Sequence, residues 1–124
     1  MSAAPGMAIA VVDDDESMRN SLRRLFGSAG YLVECFASAT DFLGSLVTRT
    51  PRCVFLDLQL PGISGVELLE RFAEIKDVPP VVVITGSDDS RMRDRCMALG
   101  AKCCFRKPLD CDALLEAARE IVGH

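Results

Sequence analysis

The sequence predicts a single domain of the doubly wound α/β class, a parallel sheet of five strands covered on both faces by five helices. Three observations carry that expectation. Short apolar runs of strand length alternate along the chain with longer stretches in which apolar residues recur at three and four. Glycine, proline and capping residues separate one kind of stretch from the other. Several of the short runs are continuously apolar instead of alternating, which suits strands covered on both faces. Strand-helix-strand crossovers are right-handed and lay their helices over the sheet.

The elements follow in order. Ala8–Val12 (A-I-A-V-V) is a continuous apolar run, read as the first strand. It ends in the acidic residues Asp13, Asp14, Asp15 and Glu16, behind which Met18, Leu22, Leu25, Phe26 and Ala29 mark the inner face of a helix that stops at Gly30. Tyr31–Phe36 is mixed in polarity and predicts a strand near an edge. Ser38, with Asp41 three residues on, makes a capping box for a short helix to about Val47. After a turn over Thr48–Arg52, the apolar residues Cys53, Val54, Phe55 and Leu56 run straight into Asp57, and Pro61, Gly62 and Gly65 then turn the chain. Asp57 is therefore expected on the last residue of a buried strand.

Ser64 and Glu67 form a second capping box, opening a helix whose Val66, Leu69, Phe72, Ala73 and Ile75 are expected to face inward before Pro79 and Pro80 interrupt it. Val81–Ile84 (V-V-V-I) is the most β-prone run and delivers Thr85 to a Gly86-Ser87 turn. A helix from about Asp88 to Leu99 follows, closed by Gly100. Cys103–Phe105 makes a brief fifth strand ending in Arg106, Lys107 and Pro108, and Leu114, Ala117, Ala118 and Ile121 stripe the final helix. Residues 1–7 (M-S-A-A-P-G-M) are small and unpatterned and read as a disordered leader, with Met7 as an alternative start. The domain is expected over 8–122, with 123–124 as its C-terminal end and no output domain in the sequence as it stands.

Composition excludes several chemistries. The 124 residues, 49% hydrophobic and 26% charged, suffice to bury about two-thirds of the unfolded surface without staples. The cysteines (Cys35, Cys53, Cys96, Cys103, Cys104 and Cys111) include no C-x-x-C pair, and no signal-peptide pattern precedes them. Reduced, mostly buried thiols in a cytoplasmic protein are expected. The single histidine is His124 at the end of the chain, so zinc sites, Ser-His or Cys-His catalysis and a phosphohistidine carrier all lack their parts. A net charge of -4 without a basic cluster argues against direct binding to nucleic acid. No apolar run approaches the roughly 20 residues of a membrane span.

In a doubly wound sheet the ligand crevice lies outside the carboxyl ends of the strands, where the strand order switches. The first strand ends at Asp13 and Asp14, the third at Asp57, the fourth at Thr85 and the fifth at Lys107. Converging carboxylates repel one another, and a bound cation is one remedy; oxygen-only ligands point to Mg²⁺, which prefers one or two carboxylates plus a phosphate. Lysine suits a phosphoryl oxygen as a point charge, and a threonine hydroxyl supplies a second donor. Together these parts make a phosphoryl-transfer site with an aspartyl-phosphate intermediate. Each part alone has a plainer reading: Asp57 capping a loop or pairing with a lysine, the acidic cluster favouring the positive end of the first helix, Lys107 solvated, Thr85 a capping hydroxyl. Their joint placement at the strand ends is what favours a site.

V-V-D-D-D, L-D-L-Q-L-P-G-I-S-G, V-I-T-G and K-P, in this order and spacing, resemble the receiver domain of bacterial two-component response regulators over about residues 8 to 122. The resemblance implies a flavodoxin-like sheet of order 2-1-3-4-5. It implies that Asp57 accepts a phosphoryl group from the phosphohistidine of a sensor histidine kinase. Asp14 and Asp57 would bind Mg²⁺ directly, Asp13 largely through water, and the Gln59 main-chain carbonyl would complete the protein ligands. Lys107 would pair with the phosphoryl group, Thr85 would hydrogen-bond to it, and Gln59 and Ser87 would influence its lifetime. The Lys107-Pro108 bond is often cis in the family.

The family's switch aromatic normally sits three residues before the lysine. Here that position is Cys104, and Phe105 is expected on the opposite face of its strand, so signalling would rely on movement of Thr85 and rearrangement of the fourth helix. Leu109 stands where phenylalanine is common. V-D-D-D and V-I-T-G look most like nitrogen-fixation-type regulators, which carry a helix-turn-helix DNA-binding domain behind a linker; transcriptional output through such a domain is expected. A homodimer through the face of helix four, strand five and helix five, roughly Asp88 to Val122, is implied as well. Arg91 and Arg95 share a helix face and either meet acidic partners or are simply solvated.

Two alternatives stand beside this reading. A phosphatase of the haloacid dehalogenase type also forms an aspartyl-phosphate, but places its nucleophile after the first strand in a D-x-D pattern, which Asp13 and Asp15 match superficially. A phosphorylation-independent pseudo-receiver typically lacks part of the set Asp13, Asp14, Asp57, Thr85 and Lys107. The receiver reading makes the chain no conventional turnover enzyme, although it catalyses its own phosphoryl transfer and dephosphorylation.

Overall fold

A computed structural model describes residues 8–123 of the chain. The leader over residues 1–7 and the terminal His124 lie outside the described residues. The elements are β1 (Ala8–Val12), α1 (Glu16–Ser28), β2 (Leu32–Phe36), α2 (Ala39–Ser45), β3 (Cys53–Asp57), α3 (Gly65–Phe72), β4 (Val81–Thr85), α4 (Ser90–Ala98), β5 (Cys103–Arg106) and α5 (Cys111–Val122). All neighbouring strands pair in parallel, in the order β2-β1-β3-β4-β5. The doubly wound α/β fold read from the sequence is the observed one, and the mixed-polarity second strand is an edge strand.

Side-chain alternation divides the sheet's apolar residues between two core layers. Ala10, Val12, Val54, Leu56, Val81 and Val83 pack with Phe42, Leu68, Leu69 and Phe72 of α2 and α3. Ile9, Val11, Phe55, Val82 and Ile84 pack on the other face with Leu22 and Phe26 of α1 and Leu114 and Ala118 of α5. The Phe26 and Phe55 rings stand 4.6 Å apart between centroids, and Phe42 bridges Phe36 (5.5 Å) and Phe72 (6.2 Å). Since every central strand is covered twice, β3 and β4 are buried along their whole length.

Caps fix the helix starts. The Ser38 and Ser64 hydroxyls accept from the Asp41 and Glu67 N–H groups at 3.1 Å, while the side chains of Asp15, Asp89 and Asp110 cap α1, α4 and α5. Gly30 (φ 96°) and Gly100 (φ 109°) stop α1 and α4 in the left-handed region.

The expected inner face of the third helix needs correction. That helix ends at Phe72, so Ala73 is its exposed C-cap and Ile75, beyond it, is 55% exposed. Leu68 takes the inward position instead. The short helix likewise ends at Ser45 with Leu46 as its C-cap, short of Val47, which is 87% exposed. All the cysteines are free thiols, with Cys53 and Cys96 buried and Cys111 exposed. Burial pushes the Cys53 thiol up to about 12, which makes it inert. The Lys107-Pro108 bond is cis. No helix among the described residues is long and apolar enough to cross a membrane.

Candidate functional site

Strand register brings the chemistry to the carboxyl end of the sheet. Val12 pairs with Leu56, Asp57 with Ile84 and Thr85 with Arg106, so β1, β3, β4 and β5 end side by side. Asp13, Asp57 and Thr85 are the buried polar side chains among the described residues, with exposures of 1%, 4% and 6%. Each of the expected strand-end groups lies at this end.

Asp13 follows β1 directly and is held on three sides. Its N–H donates to the Phe36 carbonyl at 3.0 Å, its carbonyl accepts from Arg19 Nη1 at 2.8 Å, and its Oδ1 accepts from the Asp15 N–H at 2.9 Å. Its Oδ2 is buried with no hydrogen-bond partner. Burial lifts the Asp13 carboxyl from 3.8 to about 6; the Asp15 N–H opposes this, the Asp57 charge adds to it, and Lys107 opposes it. Asp14, the next residue, is exposed. One oxygen from each of Asp13, Asp14 and Asp57 lies within 4.8 Å of the others.

Asp57 closes β3. Its Oδ1 accepts from the Gln59 N–H at 3.0 Å, and its Oδ2 lies 3.4 Å from Lys107 Nζ. The backbone behind it is tight, because the Leu58 N–H donates to the Ile84 carbonyl and the Gly65 N–H to the Leu58 carbonyl, each at 3.1 Å. A Cβ on Gly65 would stand 2.6 Å from the Leu58 Cα and 2.8 Å from the Asp57 carbonyl oxygen, so only glycine fits this approach. Thr85 Oγ1 accepts from the Ser87 N–H at 3.0 Å, and the Thr85 carbonyl accepts from the Lys107 N–H at 2.8 Å. Lysine and threonine are thus tied together through backbone where β4 and β5 end.

The donor set suits a hard cation. Three carboxylates converge without a nitrogen or sulfur ligand among them, and a buried carboxylate oxygen without a donor is what an ion or its hydration water would satisfy. Lys107 brings an ammonium to Asp57 Oδ2, and the Thr85 hydroxyl, whose oxygen already accepts from the Ser87 N–H, keeps its proton to give.

Cys104 and Phe105 point to opposite faces of β5, Cys104 packing in the α2-α3 layer and Phe105 in the α1-α5 layer. Beside Thr85 the small thiol borders a cavity of about 210 Å³, which Ser87, Arg93 and Arg106 also line. A roomier cavity of about 680 Å³, bordered by Ala8, Leu32 and Arg49, lies at the amino ends of β1 and β2, the wrong end of the strands for this chemistry. Arg91 is solvated, its side chain 93% exposed with Nε 3.6 Å from the capping Asp89, whereas Arg95 pairs with Glu70 of α3. Sequence reasoning overlooked Arg19 and the Gln59 N–H. The position of Arg19, one helical turn beyond Asp15 on the face that looks back at β1, was a usable signal.

The chain matches the family model of the response regulator receiver domain over residues 9–119. It is 38% identical over 113 residues to the transcriptional regulatory protein FixJ of Bradyrhizobium diazoefficiens, covering 89% of this chain and 55% of that protein. Nodulation protein W of the same organism is 39% identical over 109 residues, 88% of this chain and 48% of that protein. The structure superposes on full-length FixJ from B. japonicum with a TM-score of 0.86 at 35% identity, over 94% of this chain and 57% of that one. A CheY-like receiver domain protein from Methanospirillum hungatei gives a TM-score of 0.86 at 27% identity, over 94% and 93%. The chain spans about half the length of these curated relatives. Sequence and fold agree over nearly all of the described residues, and the chain belongs to the response regulator receiver domain family.

Proposed function

We propose that the chain is a phosphorylation-activated receiver in which Asp57 accepts a phosphoryl group from a sensor histidine kinase with the help of Mg²⁺. The observation that carries this reading is the buried Asp57 carboxylate, 3.4 Å from Lys107 Nζ and within 4.8 Å of oxygens of Asp13 and Asp14. Asp14 and Asp57 would hold the cation directly, Asp13 largely through water, and Gln59 through its main-chain carbonyl. When bound, Mg²⁺ would neutralise the converging carboxylates and the charge on the transferring group.

Asp57 Oδ1 is held by the Gln59 N–H and Oδ2 lies beside Lys107 Nζ, so Oδ2, next to the charge that would steady the incoming group, is the attacking oxygen. A lone pair of Oδ2 forms the new P–O bond as the P–N bond of the phosphohistidine breaks, and the imidazole nitrogen leaves with that electron pair. The product is an acyl phosphate on Asp57. Lys107 supplies a fixed positive charge to the phosphoryl oxygens, and Thr85 donates its hydroxyl proton to one of them as a hydrogen bond. Water later attacks phosphorus and breaks its bond to Asp57 Oδ2, giving inorganic phosphate and the free carboxylate, with Gln59 and Ser87 bordering its path. This is one turnover per signal, not the work of a conventional enzyme.

The name of FixJ, a transcriptional regulatory protein, supports a transcriptional output through a DNA-binding domain of the whole protein. A homodimer through α4, β5 and α5, a cytoplasmic location, and binding to neither nucleic acid nor membrane by this domain complete the proposal. A haloacid-dehalogenase-type phosphatase is disfavoured because Asp15, the second carboxylate of its D-x-D pattern, is spent capping α1 through the Ser17 and Met18 N–H groups. The complete set Asp13, Asp14, Asp57, Thr85 and Lys107 disfavours a pseudo-receiver. Titration of beryllium fluoride with Mg²⁺ into isotope-labelled protein tests the proposal. Amide shifts around Asp57, Thr85 and Lys107 are expected in the native chain and absent in Asp57→Asn; an unchanged native spectrum contradicts it.

A further inference from the structure

We infer that Arg19 is a positioning residue for the cation end of the site, holding the Asp13-Asp14 peptide so that both carboxylates converge on Asp57; this rests on the reading of the site proposed above. Arg19 is half-buried on α1, and its Nη1 donates to the Asp13 carbonyl at 2.8 Å. That carbonyl belongs to the planar peptide group whose nitrogen is Asp14's, so fixing its direction fixes where the Asp14 Cα departs. Arg19 is itself anchored: its N–H donates to the Asp15 carbonyl at 3.0 Å, and its carbonyl accepts from the Cys35 thiol at 3.7 Å.

The bonds around the acidic turn form a pattern. Phe36 takes the Asp13 N–H, Arg19 gives to the Asp13 carbonyl, the Asp15 N–H gives to Asp13 Oδ1, and Asp15 caps the helix. Backbone and one carboxylate oxygen are held, while the buried Asp13 Oδ2 is left without a partner. A site arranged in advance for an ion would leave such an oxygen free. Guanidinium suits the task because it delivers a directional donor from a long stem and does not lose its charge.

Arg19 acts on a cation in two opposing ways. As a nearby positive charge it repels the ion, so its removal would tighten binding; as a donor that orders the turn it favours the ion, so its removal would weaken binding. We expect ordering to win. Mn²⁺ affinity, read by electron paramagnetic resonance on the full chain, should weaken about tenfold in Arg19→Ala, within the range found when groups that orient a metal ligand are removed. Arg19→Gln should weaken it in the same direction, and Arg19→Lys should recover most of the loss. Melting temperatures measured in chelator on the same samples identify a merely structural role. Unchanged or tighter Mn²⁺ binding in Arg19→Ala or Arg19→Gln overturns the inference, whether or not the melting temperature falls. If the native chain itself binds no Mn²⁺, the cation reading of the site fails and the inference falls with it.

Discussion

Lys107 Nζ and Asp57 Oδ2 lie 3.4 Å apart although fifty positions separate them in the chain. The contact crosses β3, β4 and β5, and its lysine end is fixed by the Lys107 N–H to Thr85 carbonyl bond at 2.8 Å. Within a crowd of carboxylates this ammonium is the positively charged partner of Asp57, beside the Gln59 N–H on its other oxygen. Lys107→Ala should therefore lower the stability of the metal-free chain by about 1 kcal/mol, less than the loss for a fully buried pair because the lysine side chain is 28% exposed. Urea unfolding with and without Mg²⁺ checks this, and the deficit should shrink when Mg²⁺ is present. The same variant should still bind Mg²⁺ yet fail to signal.

Asp13 gives the chain a pH dependence of unusual sign. Its carboxyl is raised from 3.8 to about 6, so between these values the folded state holds a proton that the unfolded state has released. The neutral form is the one the fold favours. Its contribution is therefore fully present below about pH 4 and is lost as the pH rises through about 6, amounting to about 3 kcal/mol if the whole shift is expressed. Metal-free unfolding followed across this window in the native chain and in Asp13→Asn isolates the effect. The stability of the native chain relative to Asp13→Asn should fall as the pH rises from about 4 to about 6, leaving Asp13→Asn the more stable variant at neutral pH.

Gly65 stands where α3 starts against the back of the Asp57 strand end. A methyl group there meets Leu58 Cα at 2.6 Å and the Asp57 carbonyl oxygen at 2.8 Å, and neither is a flexible side-chain end that could swing away. Gly65→Ala should cost about 2 kcal/mol, in the range of overpacked cores, and should slow phosphoryl uptake by moving Asp57. Gly27→Ala, whose added Cβ meets nothing within 4 Å, is the control and should leave both unchanged or improved.

Cys104 and Cys53 make a matched pair of thiols in different surroundings. Cys104 borders a cavity of about 210 Å³, whereas Cys53 is fully buried at the start of β3. Cys104→Phe should leave the melting temperature unchanged or raised, since the ring has a space to enter. Cys53→Phe should lower stability by about 1–3 kcal/mol through overpacking. Thermal unfolding of the two variants side by side decides it.

Most of the fold was legible because its signals are local and redundant. Continuous runs such as V-V-V-I mark strands buried on both faces, and Ser38 and Ser64 mark helix starts through bonds that reach only three residues. The ends of helices were harder to read. Apolar residues at Ala73 and Ile75 continued the inward periodicity past the point where the backbone leaves the helix, so pattern alone overran α3. The placement of Asp13, Asp57, Thr85 and Lys107 at the strand ends was legible from the order of the elements alone, because in a doubly wound sheet the carboxyl ends of parallel strands lie together, a rule that needs no distances. What stayed hidden were contacts made by ordinary residues. Arg19 reads as one of several helix arginines until its guanidinium is found on the Asp13 carbonyl, and the pairing of Arg95 with Glu70 is a matter of how α3 and α4 lie.

The central claim is that Asp57 takes up a phosphoryl group in a cation-dependent step. Intact-mass analysis after incubation with acetyl phosphate, with and without Mg²⁺, on the native chain and Asp57→Asn, tests it most directly. The account predicts a gain of one phosphoryl group in the native chain, dependent on Mg²⁺ and absent from Asp57→Asn. A gain that persists in Asp57→Asn would contradict it, because another residue would then be the acceptor.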